Sequence, residues 1–325
     1  MTSTTLTVWC NLPLPEGALG ALTLGLSPHR LVRAVEMPEY NQPLGRPDRL
    51  LPEADVVFGQ PEVDQCVASS RLLWVQLTSA GYTTFASADV RAALVEHAVP
   101  VTTSSAVYAE PCAQHALAFI LAEARQLPRS LRDQLGQHGW NTTPTRAASF
   151  LLEDKTVLLV GYGTIAARLA ELLAPLRTKV VGFRRMPRGD EVIEVHPVDK
   201  LGAWLPHADF VVNLLPAHSD TVEFFDTLKF ATMKAGAVFI NLGRGATVEQ
   251  SALLAALRGD LGAAYLDVMT PEPLPPQHPL WSQRNCHITP HVGGGHADEY
   301  GRLVKHFLSN FQRFLHGQPL SGRVY

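Results

Sequence analysis

Short apolar, β-prone runs at residues 6–10, 55–58, 73–77 and 101–103 alternate with helical patterns and with loops rich in proline and glycine, such as 11–17 and 38–47. This alternation predicts a small parallel α/β unit. Residues 111–127 carry Leu117, Ile120, Leu121 and Ala124 at helical spacing that stops at Pro128, and the polar stretch 129–149 that follows has little apolar periodicity. The helix and this stretch mark a crossing between domains. A second unit opens with Thr156-Val157-Leu158-Leu159-Val160, a continuous apolar run suited to a strand buried on both faces. Similar runs follow at 179–181, 210–215, 238–241, 264–268 and 287–289. Helical patterns separate them, one placing Leu253, Leu254 and Leu257 before a stop at Gly259. The predicted fold class is α/β with two doubly wound parallel sheets. Leu303, Val304, Phe307, Leu308, Phe311 and Phe314 share one face of a last helix. The second sheet is already complete, so this helix is expected to pack back on the first domain.

A length of 325 residues fits two domains. With 46% hydrophobic and 18% charged residues, the chain is too apolar for intrinsic disorder. Lysine and arginine total 27 against 30 acidic residues, a formal charge of −3, so no global positive field draws in nucleic acid or an anionic membrane. The longest apolar stretches, such as 113–122, fall short of the roughly 18 to 20 residues a membrane span needs. The polar start has no basic region followed by an apolar one, so a cytoplasmic protein is expected. Cys10, Cys66, Cys112 and Cys286 show no C-x-x-C spacing, which argues against a zinc module or dithiol redox site; no metal site is expected.

Gly161-Tyr162-Gly163-Thr164-Ile165-Ala166 has the form G-x-G-x-x-A, follows a buried strand and opens a helix with Leu169, Leu172 and Leu173 on one face. Gly161 permits the tight turn, Gly163 the approach of a pyrophosphate, and Ala166 close packing of helix on strand. That context favours a dinucleotide over a merely structural turn. Residues 105–296 are therefore assigned to a Rossmann dinucleotide-binding domain, and 1–104 with 297–325 to a smaller flavodoxin-like substrate domain. The second strand of the Rossmann unit ends in Arg184-Arg185, where an acidic residue would accept hydrogen bonds from the ribose of NAD. Arginine cannot accept them, whereas paired guanidinium groups suit a 2′-phosphate, so the expected cofactor is NADP, with NAD as the alternative. The plainer reading is two solvated arginines.

Three more segments lie at predicted carboxyl ends of strands, where open α/β sheets place ligands: Asn241-Leu242-Gly243-Arg244-Gly245, Asp267-Val268-Met269-Thr270-Pro271-Glu272-Pro273, and Pro290-His291-Val292-Gly293-Gly294. They supply a cation, carboxylates and an imidazole. With the fingerprint, this ordered set resembles the D-2-hydroxyacid dehydrogenase family over nearly the whole chain, and glyoxylate/hydroxypyruvate reductases in particular. The resemblance implies that Arg244 binds the substrate carboxylate and carbonyl, that His291 is the acid/base paired with Glu272, and that Asp267 lies near the nicotinamide amide. It also implies that the backbone of Ser79-Ala80-Gly81 holds the substrate carboxylate and that Leu215-Pro216 lines the cofactor. A homodimer is implied too, with 129–149 as an extended arm. Gln114 stands where relatives often carry glutamate.

Reducing a 2-keto acid by hydride places negative charge on the carbonyl oxygen, so a proton donor and a nearby cation lower the barrier. A carboxylate beside the imidazole favours its charged form and keeps it protonated near neutral pH. With 13 histidines, a given one is more often structural; His291 stands out through its strand-end proline, its following glycines and its partners. Arg244 alone could be a surface ion pair. The expected function is an NADP(H)-linked reductase of small 2-keto acids acting through the D stereoisomer. Alternatives are an NAD-preferring dehydrogenase of a bulkier hydroxy acid and a dinucleotide-sensing, corepressor-like scaffold. Formate oxidation is disfavoured because formate dehydrogenases of this fold carry glutamine at the position of Glu272.

Overall fold

The computed structural model describes residues 5–41, 46–136 and 138–325. The chain divides into two compact units, residues 1–108 with 296–325 and residues 109–295.

In the first unit β1 (Thr7–Cys10), α1 (Glu16–Leu26), β2 (Arg30–Arg33), β3 (Val56–Gly59), α2 (Val63–Ala68), β4 (Trp74–Leu77), α3 (Ala88–Glu96) and β5 (Val101–Thr102) build a parallel sheet in the order β2-β1-β3-β4-β5. All four runs read from the sequence are strands. β2 was not anticipated: it is an edge strand with only Val32 buried, so its Arg-Leu-Val-Arg composition carries almost no core signal.

The chain continues through α4 (Ser105–Ala124), α5 (Leu127–Leu135) and α6 (Thr142–Ala148). The first of these starts six residues ahead of the expected onset and holds Pro111 inside it. The stretch expected to be an extended arm forms most of α5 and all of α6. Neither helix has a buried residue; α5 sets Leu127, Leu131 and Leu135 on one exposed face, and the short α6 carries no apolar stripe.

In the second unit β6 (Thr156–Val160), α7 (Thr164–Leu173), β7 (Lys179–Arg184), β8 (Glu194–Pro197), β9 (Phe210–Asn213), α8 (Thr227–Thr232), β10 (Val238–Asn241), α9 (Gln250–Arg258), β11 (Ala263–Leu266) and β12 (Cys286–Ile288) form a seven-stranded parallel sheet. Its order is β12-β11-β10-β9-β6-β7-β8. β6 shows why its run is apolar throughout: Leu158 and Val160 join the core on one face with Phe239 and Leu266, while Val157 and Leu159 join the other with Ala166, Leu169 and Ile240. Strand β8 was also not anticipated; it is an edge with no fully buried residue. Strand order reverses between β6 and β9, which is where doubly wound sheets hold dinucleotides.

The final helix, α10 (Glu299–Leu315), belongs to the first unit. The Phe307 ring stacks 4.1 Å from Phe58 and 5.4 Å from Trp74. Its buried Asn310 donates to the Gln76 side chain at 2.9 Å and is bound by the Ser321 N–H at 2.9 Å. The expected docking of this helix on the first sheet is what the structure shows.

Candidate active site

Gly161 ends β6 at φ +98°, and a Cβ on it would lie 2.7 Å from the Leu214 carbonyl carbon. Gly243, beyond β10, presses on the same backbone, its Cβ position falling 2.6 Å from the Leu215 oxygen. Any larger residue at either point would push apart three strand ends that meet at the sheet reversal. Tyr162 is buried, whereas Gly163 and Thr164 are exposed, with Ile165 partly so. Gly163 precedes α7 with no side-chain cap, and a Cβ on it would meet nothing closer than 4.0 Å. Open space in front of uncapped helix N–H groups fits a pyrophosphate. Leu215 is buried and Pro216 exposed; the Thr221 hydroxyl donates to the Pro216 carbonyl at 2.7 Å, tying off that turn.

Arg184 and Arg185 stand at the carboxyl end of β7, each beside its own carboxylate. Arg184 Nη1 is 3.3 Å from Glu191 Oε1, and Arg185 Nη1 is 3.7 Å from Asp220 Oδ2.

Arg244 follows β10 in a loop held by buried amides. Asn241 Oδ1 accepts from the Gly243 N–H at 3.1 Å and from Asn213 Nδ2 at 3.0 Å; Thr247 Oγ1 donates to the Arg244 carbonyl at 2.6 Å. Asn213 was not singled out from the sequence, although an asparagine closing a strand just before Leu-Leu-Pro was the available signal. The guanidinium donates to the Gly243 carbonyl at 2.6 Å. Burial pulls its pKa down, and the charges of Glu272 and Cys112 oppose that shift.

His291 Nδ1 and Glu272 Oε2 are 2.7 Å apart, and Glu272 Oε1 accepts the Met269 N–H at 2.8 Å. The hydrogen bond to Glu272 raises the His291 pKa above its ordinary 6.5; desolvation opposes and the charge of Glu272 assists. For Glu272 desolvation acts upward, but the His291 hydrogen bond, the Met269 N–H and the charges of His291 and Arg244 together bring the pKa down. Arg244, Glu272 and His291 are therefore within electrostatic range of one another.

The imidazole sits on strained backbone, for His291 has φ +53°. Asp267, 4% exposed, holds that loop down. Its Oδ1 accepts Thr289 Oγ1 at 2.6 Å and the Val292 N–H at 2.9 Å, its Oδ2 accepts the Gly293 N–H at 2.8 Å, and its carbonyl accepts the His291 N–H at 2.8 Å. His115 Nε2 lies 3.2 Å from the same threonine hydroxyl, and burial lowers its pKa. Gln114 bonds Glu110 on its own helix at 2.5 Å. Ser79, Ala80 and Gly81 lie in the first unit just beyond β4, where Ser79 Oγ donates to the Gly81 carbonyl at 2.5 Å and the Ser104 N–H donates to the Ser79 carbonyl at 2.9 Å. Among the described residues no group of side chains could hold a metal ion, and no helix is long and apolar enough to cross a membrane.

The family model of the D-isomer specific 2-hydroxyacid dehydrogenase NAD binding domain matches residues 117–293. A mouse glyoxylate reductase/hydroxypyruvate reductase is 36% identical over 194 residues, a match spanning 58% of this chain and 58% of that enzyme. Glyoxylate/hydroxypyruvate reductase B of Citrobacter koseri is 34% identical over 230 residues, 68% of each chain. Among solved structures, an NADPH-dependent glyoxylate/hydroxypyruvate reductase from Sinorhizobium meliloti, crystallised with NADP and sulfate, is similar at 26% identity and a TM-score of 0.77, with 98% of both chains covered. The chain belongs to the D-isomer specific 2-hydroxyacid dehydrogenase family.

Proposed function

We propose that the protein reduces small 2-keto acids of the glyoxylate and hydroxypyruvate class to D-2-hydroxy acids with NADPH. The observation that carries this reading is the 2.7 Å pair of His291 and Glu272 beside the desolvated Arg244. A bound nicotinamide would supply the hydride. His291, kept protonated by Glu272, donates from Nε2 to the carbonyl oxygen as charge grows there, and Arg244 pairs with the substrate carboxylate and the same oxygen. Ser79, Ala80 and Gly81 are assigned to the substrate carboxylate through their backbone N–H groups. Asp267 is assigned to holding the His291 loop against the nicotinamide carboxamide. Gly161, Tyr162, Gly163, Thr164, Ile165, Leu215 and Pro216 are assigned to the dinucleotide, with Arg184 and Arg185 meeting the 2′-phosphate.

Reductases of this type in the relatives, one of them named NADPH-dependent, support both the substrate class and the cofactor. A tuned acid/base pair also favours turnover over a purely sensing scaffold, which needs no proton donor. The test is NADPH oxidation with glyoxylate, hydroxypyruvate, phenylpyruvate and 2-ketoisovalerate. Turnover confined to the two larger acids would move the assignment to a bulkier substrate, and tight cofactor binding with no turnover would favour the scaffold. We further propose a homodimer: α5 leaves Leu127, Leu131 and Leu135 exposed at 51%, 55% and 81%, four residues apart on one helical face.

A further inference from the structure

We propose that Glu191 is a positioning residue for recognition of the cofactor's 2′-phosphate, an inference that rests on the NADP reading above. Beyond β7 the chain turns sharply, with Gly189 at φ +84°. The turn closes on one carboxylate. Glu191 Oε1 accepts the Arg188 N–H at 2.8 Å and Oε2 accepts the Gly189 N–H at 2.8 Å, while Arg184 Nη1 reaches Oε1 at 3.3 Å. The Glu191 side chain is 7% exposed and that of Arg184 24%, so this is a largely covered staple at the surface rather than a fully solvated pair.

Two consequences follow from the donor count. A guanidinium has five N–H donors, and Glu191 engages one nitrogen, which leaves the others for a phosphate. The carboxylate meanwhile already takes two backbone donors and the arginine, so its charge is largely satisfied before an anion arrives. Arg185 gives the contrast. Its contact with Asp220 is 3.7 Å long with side chains 80% and 59% exposed, which does not hold a flexible side chain in place. Arg184 is thus pre-organised and Arg185 is not. The buried Tyr162 phenol, which has no hydrogen-bond partner among the described residues, lies within electrostatic range of both Glu191 and Arg184 and keeps that corner polar. Pre-organising the contact group lowers the ordering cost of binding, and only a ligand bearing the phosphate draws on it.

The test is the pair of dissociation constants for NADPH and NADH in the full chain, with Glu191→Ala and Glu191→Gln. The expected result is that Glu191→Ala weakens NADPH by about tenfold or more while NADH stays within about twofold. Glu191→Gln, which keeps the length but only one accepting oxygen, should fall between. An unchanged NADPH/NADH ratio in a wild type that prefers NADPH, or tighter NADPH in Glu191→Ala, overturns the positioning role alone. A wild type with no preference for NADPH overturns the NADP reading and this inference with it. Retained NADH affinity reports that each variant folds; if Glu191→Ala does not fold, the ratio in Glu191→Gln decides.

Discussion

Glu272 Oε2 sits 2.7 Å from His291 Nδ1, so the carboxylate fixes the ring by one nitrogen, and the proposed proton transfer falls to the other. The pair sets a pH dependence whose sign is determined. The His291 pKa lies above 6.5, so the protonated donor needed for keto-acid reduction is present below that pKa and lost as pH rises through it. Reduction should fall, and hydroxy-acid oxidation should rise, through the same midpoint. Glu272→Gln removes the charge that favours the imidazolium, and the midpoint of the kcat/KM profile should move to lower pH. A profile that stays in place would show that Glu272 does not tune the acid.

Arg244 is partly buried, and among the described residues it has no carboxylate within ion-pairing distance, which fits the proposed role of meeting an anionic substrate. Truncating one member of such a desolvated charge pair costs about 2 to 5 kcal/mol, or roughly 30-fold to several thousand-fold. Arg244→Ala should therefore raise KM for glyoxylate into that range and leave the NADPH dissociation constant nearly unchanged. A KM within twofold of wild type would return Arg244 to a structural role.

Asp267→Ala leaves the buried Gly293 N–H, the part-buried Val292 N–H and the Thr289 hydroxyl without their acceptor. A buried group left unsatisfied costs about 1 to 3 kcal/mol before relaxation, and the His291 loop keeps only its backbone bonds from the His291 N–H to the Asp267 and Thr289 carbonyls. We expect a loss of Tm of several degrees together with a fall in kcat. A thermal melt beside steady-state kinetics checks both; a normal Tm with normal kcat would mean that the loop holds itself.

The apolar face of α5 gives a prediction about assembly. Leu131→Asp with Leu135→Asp should turn the proposed dimer into a monomer in sedimentation at micromolar concentration, with the secondary structure retained. A monomeric wild type, or a dimer untouched by the double substitution, would place the subunit contact elsewhere or remove it.

How much of this was readable beforehand depended on burial. Strands β6, β9 and β10 stand out in the chain because both faces are packed, so apart from Thr156 at the start of β6 and the closing Asn213 and Asn241 their positions are apolar and form continuous runs. β2 and β8, no shorter than β9 and β10, bury at most one face, so they look like loop. The helices α5 and α6 were hidden for a related reason: neither buries a residue, Pro128 falls inside the first turn of α5, and α6 is a short run of threonine, proline, arginine and alanine.

At the site, the sequence by itself determined which chemistry is available and in what order: a glycine turn, a guanidinium, a carboxylate and an imidazole, each just beyond a strand. It could do so because a parallel sheet carries consecutive strand ends to one edge. Only the tertiary structure decided what each group is bonded to. The carboxylate of Asp267 reaches residues 22 to 26 positions away, Glu191 folds back on the strand end before it, and Asn213 braces a loop after a different strand. Such bonds depend on distances set by sheet register and side-chain packing, and those quantities are not carried by the local order of residues.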